Sequence, residues 1–284
     1  MIAVTGATGA LGGQVARLLA ERGVSQRLVT RDPARAPQLD GVEVVGGASY
    51  ADGDAMRRAF DGASTVFLVS AKEEEHRIDL HRNAVNAAVA AGVDRIVYTS
   101  YAGAARDCVF TFGRDHWNTE QHIESTGVDW TFLRDNIYVD YVPFFAGEDG
   151  VIRGPAGDGR LAAVARADIA DCAAEVLTDD AHAGATYAMT GPAAFTLAEA
   201  AEVVSRFAGR PVSYREETLE EARESRAPTG APAWEIEGWV TTYAAVAAGE
   251  LEAVSGDVER LTGRAPVGLE GFLEANPESY SHLV

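Results

Sequence analysis

A glycine-rich loop lies near the start of the chain, between a short apolar run and an amphipathic stretch. Residues 2–4 predict a strand and residues 11–21 a helix. Glycines at the observed spacing permit a sharp turn, a close approach of backbone amides to a ligand, and tight packing of helix against strand. The amino end of the helix adds partial positive charge. The motif therefore predicts a site for the diphosphate of a dinucleotide. Its residues are Gly6, Ala7, Thr8, Gly9, Ala10, Leu11 and Gly12.

The first 135 residues alternate between short apolar runs and helical patterns. The predicted strands are 2–4, 27–30, 42–45, 65–69, 95–99 and 130–133, and the predicted helices are 11–21, 54–60, 74–91 and 114–125. Strands that alternate with helices form a parallel sheet with helices on both faces. We therefore predict an α/β fold with a Rossmann-like, doubly wound parallel sheet.

The pattern changes after Arg134, where segments become shorter and mixed. Helices are predicted at 167–177 and 197–207, strands at 186–189 and 212–215, and a loop at 228–232. The acidic stretch 216–224 is interpreted as a solvated helix face. We expect residues 1–135 to form an NAD(P)-binding domain, with 167–190 packing back onto it. Residues 136–284 are expected to form mainly a smaller α+β substrate-binding cap.

Composition excludes several classes of partner. The net charge of −19 argues against nucleic acid and anionic membranes. Cys108 and Cys172 lie far apart with no metal-ligand spacing, so we expect free thiols and no metal site. No apolar run reaches the roughly 18 residues of a membrane span, and no charged segment typical of a signal peptide is found. These features predict a cytoplasmic protein.

The end of the second predicted strand bears on the choice of cofactor. There the sequence reads Thr30-Arg31-Asp32. The Arg31 guanidinium can pair with the 2′-phosphate of NADP(H). In the alternative interpretation, the Asp32 carboxylate accepts the 2′-hydroxyl of NAD(H). The sequence favours NADP(H) over NAD(H).

Several further segments carry a family resemblance. They are Arg31-Asp32-Pro33-Ala34-Arg35, His81-Arg82-Asn83-Ala84-Val85-Asn86-Ala87-Ala88, Ile96-Val97-Tyr98-Thr99-Ser100, Leu133-Arg134-Asp135-Asn136 and Gly157-Asp158-Gly159. Together with the glycine loop, they resemble the NmrA-like group of atypical short-chain dehydrogenases. The chain is most similar to the bacterial branch of NAD(P)H:quinone oxidoreductases and triphenylmethane reductases. The resemblance covers residues 1–190 well and the remainder loosely.

The chain departs from most short-chain dehydrogenases at the catalytic motif Tyr-x-x-x-Lys. Lys72 is the only lysine, so the motif cannot exist, and Phe112 and His116 occupy its expected positions. Reducing a carbonyl needs that acid, whereas hydride transfer to an electrophilic quinone or dye depends mainly on positioning. The resemblance and this departure imply an NADPH-dependent reductase of quinones or similar aromatic acceptors. Two alternatives stay open: a non-catalytic NAD(P) redox sensor, and a biosynthetic imine or enone reductase.

Candidate site residues follow from the predicted strand ends. Ser70 and Thr99 are expected to contact the cofactor, and the catalytic candidates are Ser100, His116 and Asn136. In the alternative interpretation, His116 is a histidine on the exposed surface of a helix. The substrate-binding candidates are Tyr138, Tyr141 and Phe144, whose rings suit a flat small-molecule acceptor. The sequence leaves open whether the protein forms a homo-oligomer.

Overall fold

The computed structural model describes all residues, 1–284. Its first part contains β1 (Ile2–Thr5), α1 (Ala10–Glu21), β2 (Gln26–Val29), β3 (Glu43–Val45), α2 (Gly53–Phe60), β4 (Thr65–Leu68), α3 (Arg77–Ala90), β5 (Arg95–Tyr101), α4 (Thr111–Thr126) and β6 (Asp129–Asp135). It continues with β7 (Val151–Gly154), β8 (Arg160–Leu161), α5 (Arg166–Thr178), β9 (Ala185–Met189), β10 (Phe195–Thr196), α6 (Leu197–Ala208), β11 (Ser213–Glu216), α7 (Leu219–Arg226), α8 (Ala233–Ala247), α9 (Asp257–Thr262) and α10 (Leu269–Ala275). None of these helices combines the length and apolar character that crossing a membrane requires.

Seven strands form the central sheet, in the order β3-β2-β1-β4-β5-β6-β9. β1 pairs in parallel with β2 and with β4, and the pairs β2–β3 and β4–β5 are parallel as well. The chain first builds outward from β1 on one side and then returns to build on the other. The predicted Rossmann-like, doubly wound fold is confirmed, and the point where the strand order reverses lies at the end of β1.

The strands beside this reversal are buried along their whole length. Every residue of β1, β4 and β5 is buried, as expected for parallel strands covered on both faces. Phe60 and Met56 of α2 pack in one cluster with Leu68 of β4, Val85 of α3 and Tyr98 of β5. This apolar core fixes the strand ends from which the candidate site is built.

The chain divides into two compact units. The first comprises Met1–Tyr101, Asp115–Arg134 and Ala167–Tyr187, and the second Ala102–Arg114, Asp135–Arg166 and Ala188–Val284. The assignment of cofactor binding and substrate binding to different parts of the chain stays a prediction.

In the second unit the sequence predicted the strand β11, as 212–215, but not β7, β8 or β10, nor how these strands pair. β8 and β10 form a two-stranded antiparallel sheet, and β7 and β11 form a parallel one. Residues Val139–Phe145 form a 3-10 helix. The acidic stretch contains α7, in agreement with its interpretation as a helix face, whereas a 3-10 turn at Ala227–Thr229 enters the segment predicted as a loop.

Candidate functional site

The glycine loop leaves backbone amides without acceptors in the helix. Gly6 has a φ of +63°, and the Gly9 N–H donates to the Gly6 carbonyl oxygen at 2.8 Å to close the turn. α1 begins after Gly9 without a side-chain cap. Its first turn closes where the Gly13 N–H donates to the Gly9 oxygen at 3.0 Å. The amides of residues 10–12 precede that bond and are available to an anion.

Two of the glycines are required by close contacts. A Cβ atom on Gly12 would lie 2.5 Å from the Gly6 oxygen and 2.9 Å from the Thr5 oxygen, both of them backbone atoms. A Cβ atom on Gly6 would lie 3.0 Å from the Cβ of Val69. Helix α1 therefore packs directly on the loop, and the loop packs on the chain that follows β4. The glycine loop, residues 6–12, and the start of α1 together form a cradle that fits a dinucleotide diphosphate.

Thr5 connects β1 to the end of β4. Its hydroxyl donates to the Phe67 oxygen at 3.0 Å and accepts from the Val69 N–H at 2.9 Å. The Tyr50 hydroxyl lies 2.6 Å from the Thr5 hydroxyl oxygen and 2.7 Å from the Val69 oxygen. Burial raises the pKa of Tyr50, so this phenol stays protonated. The hydroxyl of Tyr50 thus serves the internal structure of the cleft wall.

An open cleft with an empty volume of about 760 Å³ lies at this edge of the sheet. Gly6, Thr8, Arg31 and Ser70, which the sequence predicted as cofactor contacts, line it together. Of the other predicted loop residues, Gly9 and Ala10 are exposed, whereas Ala7, Leu11 and Gly12 are buried. The cleft also includes Lys72, for which the sequence did not predict a role in binding.

Arg31 and Asp32 differ in their environment at the end of β2. Arg31 is exposed and lines the cleft. The Asp32 carboxylate accepts from the Ala34 N–H at 3.1 Å and caps the short 3-10 helix Pro33–Arg35. The local turn thus engages the carboxylate that would compete for a ribose hydroxyl, while the guanidinium faces the cleft.

Ser70 and Thr99 are brought together where β4 and β5 end. The Ser70 N–H donates to the Thr99 hydroxyl oxygen at 2.8 Å, and the Thr99 hydroxyl donates to the Ser70 hydroxyl oxygen at 3.3 Å. Thr99 is 1% exposed, so it supports Ser70 from beneath. Ser70 is the member of the pair that lines the cleft.

Ser100 belongs to a largely buried polar cluster, with Glu120 and Arg134, that was not predicted from the sequence. Its hydroxyl donates to Glu120 Oε1 at 2.6 Å. The same carboxylate accepts from Arg134 Nε at 2.9 Å and Nη2 at 2.6 Å. This bidentate contact raises the pKa of Arg134. Because Ser100 donates its proton to Glu120, any further hydrogen bond to the Ser100 oxygen has to be donated by the other group.

His116 is 6% exposed, which excludes the alternative of a surface histidine. Arg77 Nη2 donates to its Nε2 at 3.1 Å, and Tyr98 Oη lies 2.9 Å from its Nδ1. Since a guanidinium only donates, Nε2 is the acceptor and Nδ1 carries the hydrogen. The ring stacks on Tyr101 with centroids 6.2 Å apart. Burial, and then the Arg77 charge, lower the pKa of His116, so the imidazole is neutral near pH 7.

These contacts occupy both ring nitrogens of His116. A role in donating a proton or a hydrogen bond to a ligand therefore requires that one internal contact of His116 be exchanged for a contact with a ligand atom.

Asp115, which precedes His116 in α4, is partly buried. Burial raises the pKa of the Asp115 carboxyl to about 6, and the nearby charge of Arg77 opposes this shift.

His81 and Arg77 hold the backbone after β4, a role that could not be predicted from the sequence. The Ala71 N–H donates to His81 Nε2 at 2.9 Å, and Arg77 Nε donates to the Ala71 oxygen at 2.8 Å. His81 Nδ1 lies 2.8 Å from the Thr119 hydroxyl oxygen. Burial, and then the Arg77 charge, lower the pKa of His81. Both polar backbone groups of Ala71, a cleft-lining residue, are thus bound by buried side chains.

The aromatic candidates lie in the second unit. Tyr138 and Tyr141 stack with ring centroids 5.8 Å apart, and the Arg166 guanidinium carbon lies 5.2 Å from each centroid. The Tyr138 hydroxyl donates to Asp135 Oδ2 at 3.0 Å. Burial raises the pKa of Asp135. Tyr141 is 50% exposed and therefore presents ring surface to solvent.

Phe144 and Asn136 have separate surroundings within this unit. Phe144 is 58% exposed and stacks on His282 with centroids 5.1 Å apart. Asn136 is buried, and its side-chain amide donates to the Leu251 oxygen at 3.1 Å, while its Oδ1 accepts from the Ile137 N–H at 2.8 Å. These bonds fix the Asn136 side chain within the protein.

Comparison with known proteins gives a consistent result. The profile of the NmrA-like family matches residues 1–273. The NAD(P)H azoreductase of Xenophilus azovorans is 30% identical over an alignment of 285 positions, which covers 99% of each chain. An NADPH-dependent quinone oxidoreductase from Escherichia coli, solved with NADPH, is 31% identical with a TM-score of 0.89, over 97% of this chain and 99% of that one. A Citrobacter sp. triphenylmethane reductase, solved with NADP(H), is 31% identical with a TM-score of 0.86, over the same shares.

Proposed function

This chain belongs to the NmrA-like family and is an NAD(P)H-dependent oxidoreductase, and on that premise we propose that it prefers NADPH and transfers hydride to a quinone or a similarly electrophilic aromatic acceptor. The observation that carries the proposal is the cleft at the end of β1. There the glycine cradle and Arg31 line one space, while Asp32 is engaged in its own turn.

The cleft supports binding of a nucleotide with a third phosphate. The free amides at the start of α1 and its positive end suit the diphosphate. The planar, permanently charged guanidinium of Arg31 suits a 2′-phosphate. We assign cofactor contacts to the glycine loop, Arg31 and Ser70, with Thr99 supporting Ser70 from within.

The bound nicotinamide supplies the hydride, and the protein needs to hold the acceptor at contact distance. A quinone that takes up one hydride and one proton becomes a hydroquinone, and water can supply that proton. We propose that Ser100, His116 and Asn136 orient the reacting groups, which for His116 and Asn136 requires that an internal hydrogen bond be exchanged for one to a ligand atom. In this role Ser100 acts as a hydrogen-bond acceptor, since its own proton is held by Glu120.

The acceptor-binding residues in this proposal are Tyr138, Tyr141 and Phe144. The half-exposed rings of Tyr141 and Phe144 offer flat apolar surface to an aromatic compound, and Tyr138 stacks on Tyr141. We assign cofactor binding to residues 1–135 with 167–190, and substrate binding mainly to 136–284. A cytoplasmic location remains a prediction.

Arg31→Ala tests the cofactor preference. Removing a charged hydrogen bond to phosphate should raise the Kd for NADPH by about 10- to 100-fold and leave the Kd for NADH almost unchanged. Titration of each nucleotide by calorimetry measures both constants, with Arg35→Ala as the matched control. Equal weakening of NADPH and NADH would contradict the assignment of Arg31 to the 2′-phosphate.

Turnover distinguishes a reductase from a redox sensor. Protein, NADPH and a benzoquinone are mixed and the NADPH absorbance is followed, with Gly9→Asp as a control because its carboxylate would meet the diphosphate. We expect consumption above both this control and the uncatalysed background. Tight NADPH binding with no turnover of quinones or dyes would refute the reductase and favour the sensor.

A further inference from the structure

We propose that Lys72, the only lysine of the chain, is a second cation of the cofactor site and contacts the diphosphate of the nucleotide. The inference rests on the proposed cofactor binding at this cleft. It assigns to Lys72 a role separate from that of Arg31, because the diphosphate is common to NADPH and NADH.

The position of Lys72 follows from the sheet. β4 lies directly beside β1, with Val4 opposite Phe67 in the parallel register. The chain after β4 continues past the glycine loop, where Val69 lies so close to Gly6 that an added Cβ would be 3.0 Å away. Lys72 comes three residues later and lines the same cleft as Gly6 and Thr8. Its side chain is therefore attached beside the loop that receives the diphosphate.

The backbone that carries Lys72 is held firmly. The Ser70 N–H is bound by the Thr99 hydroxyl, and the N–H and oxygen of Ala71 are bound by His81 and Arg77. All three supporting side chains are buried. A lysine on a fixed backbone loses less freedom on binding, so each contact contributes more to affinity.

The charges in the cleft also favour this role. Among its lining residues Arg31 and Lys72 are cationic and Glu74 is anionic, which leaves the cleft at +1 in a chain of net charge −19. Neither cation forms an ion pair with a carboxylate, although twelve other arginines do. An ammonium group suits the diphosphate because it acts as a compact point charge on a flexible stem.

The single lysine permits a direct labelling test. An amine-reactive ester has two targets in this chain, Lys72 and the α-amino group of Met1, which lies 3.3 Å from the Ser64 hydroxyl oxygen at the opposite end of β1. With either nucleotide at ten times its Kd, labelling of Lys72 should slow about tenfold, whereas that of Met1 stays constant. Mass spectrometry of the two peptides measures both rates. Equal labelling of Lys72 with and without bound nucleotide would overturn the proposal.

Binding by variants gives a second, independent test. Lys72→Met should raise the Kd for NADPH and for NADH by a similar factor of about five to ten, and Lys72→Arg should restore most of the affinity. Arg57→Met removes an exposed cation that does not line the cleft and should change neither constant. An effect on NADPH alone, or none at all, refutes contact with the diphosphate. Loss of binding by the unaltered protein would instead refute the proposed function itself.

Discussion

The close contact beneath the glycine loop makes Gly12→Ala a sensitive test of the cofactor cradle. The added methyl group would lie 2.5 Å from the Gly6 oxygen and 2.9 Å from the Thr5 oxygen. Both atoms belong to the backbone, so neither can turn aside as a flexible side chain would. The start of α1 must shift away from β1, and the free amides move with it.

Two opposing effects set the expected change in stability. Overpacking of this kind costs about 1–3 kcal/mol, and alanine in a helix recovers up to about 1 kcal/mol relative to glycine. We expect a net loss of about 1–2 kcal/mol in the free energy of unfolding, which lowers the Tm by about 3–6 °C. Displaced amides should also raise the Kd for NADPH about tenfold, equivalent to about 1.4 kcal/mol.

The matched control is Gly53→Ala, at the first residue of α2. A Cβ atom there meets nothing within 4 Å, so we expect the same substitution to be neutral or to stabilise by about 0.5 kcal/mol. Thermal unfolding and calorimetric titration of both variants measure the contrast. If Gly12→Ala matched Gly53→Ala in Tm and in nucleotide affinity, the argument from close packing would be refuted.

Two further predictions concern carboxyl groups of α4, the partly buried Asp115 and the buried Glu120. Because the pKa of Asp115 is raised from 3.8 to about 6, the folded state binds this proton more tightly, and stability should fall as the pH rises through that interval. Asp115→Asn should remove about 1 kcal/mol of this decline in the free energy of unfolding, a value that allows for the partial exposure of Asp115. If the free energy of unfolding depended on pH equally in both proteins, the raised pKa would not belong to Asp115. Glu120→Gln leaves Arg134 and Ser100 without a charged partner and should lower the free energy of unfolding by about 2 kcal/mol. This is less than the loss for a fully buried ion pair, because Arg134 is partly exposed. Urea unfolding checks this, and an unchanged midpoint would mean that the ion pair contributes nothing to stability.

The sequence predicted the central sheet well because its signals are local. Apolar runs bounded by turn residues located β1 to β6 to within a few residues. Errors arose where distant residues decide the structure. β5 extends to Tyr101 because the polar Ser100 is satisfied by Glu120, twenty residues away. β11 was predicted at 212–215, but β7 was not, because this four-residue strand is defined by its pairing with β11 some sixty residues later.

The candidate site shows the same division. Gly6, Thr8, Arg31 and Ser70 could be placed because each follows a strand end at a familiar spacing, and they line one cleft. The network around His81 could not be predicted, because its partners come from separate elements. A histidine in a helix pattern gives no sign that it binds the backbone of another segment.

The bonds made by Thr5 have a consequence for how quickly a nucleotide is captured. The Thr5 hydroxyl links β1, which lies beneath the glycine loop, to the end of β4, and the Tyr50 hydroxyl is hydrogen-bonded to the Thr5 hydroxyl. The two walls of the cleft are thus part of one hydrogen-bonded unit before any ligand arrives. Association at such a preformed edge should be a single bimolecular step whose rate rises linearly with ligand concentration, without the plateau that a slow opening of the protein would impose.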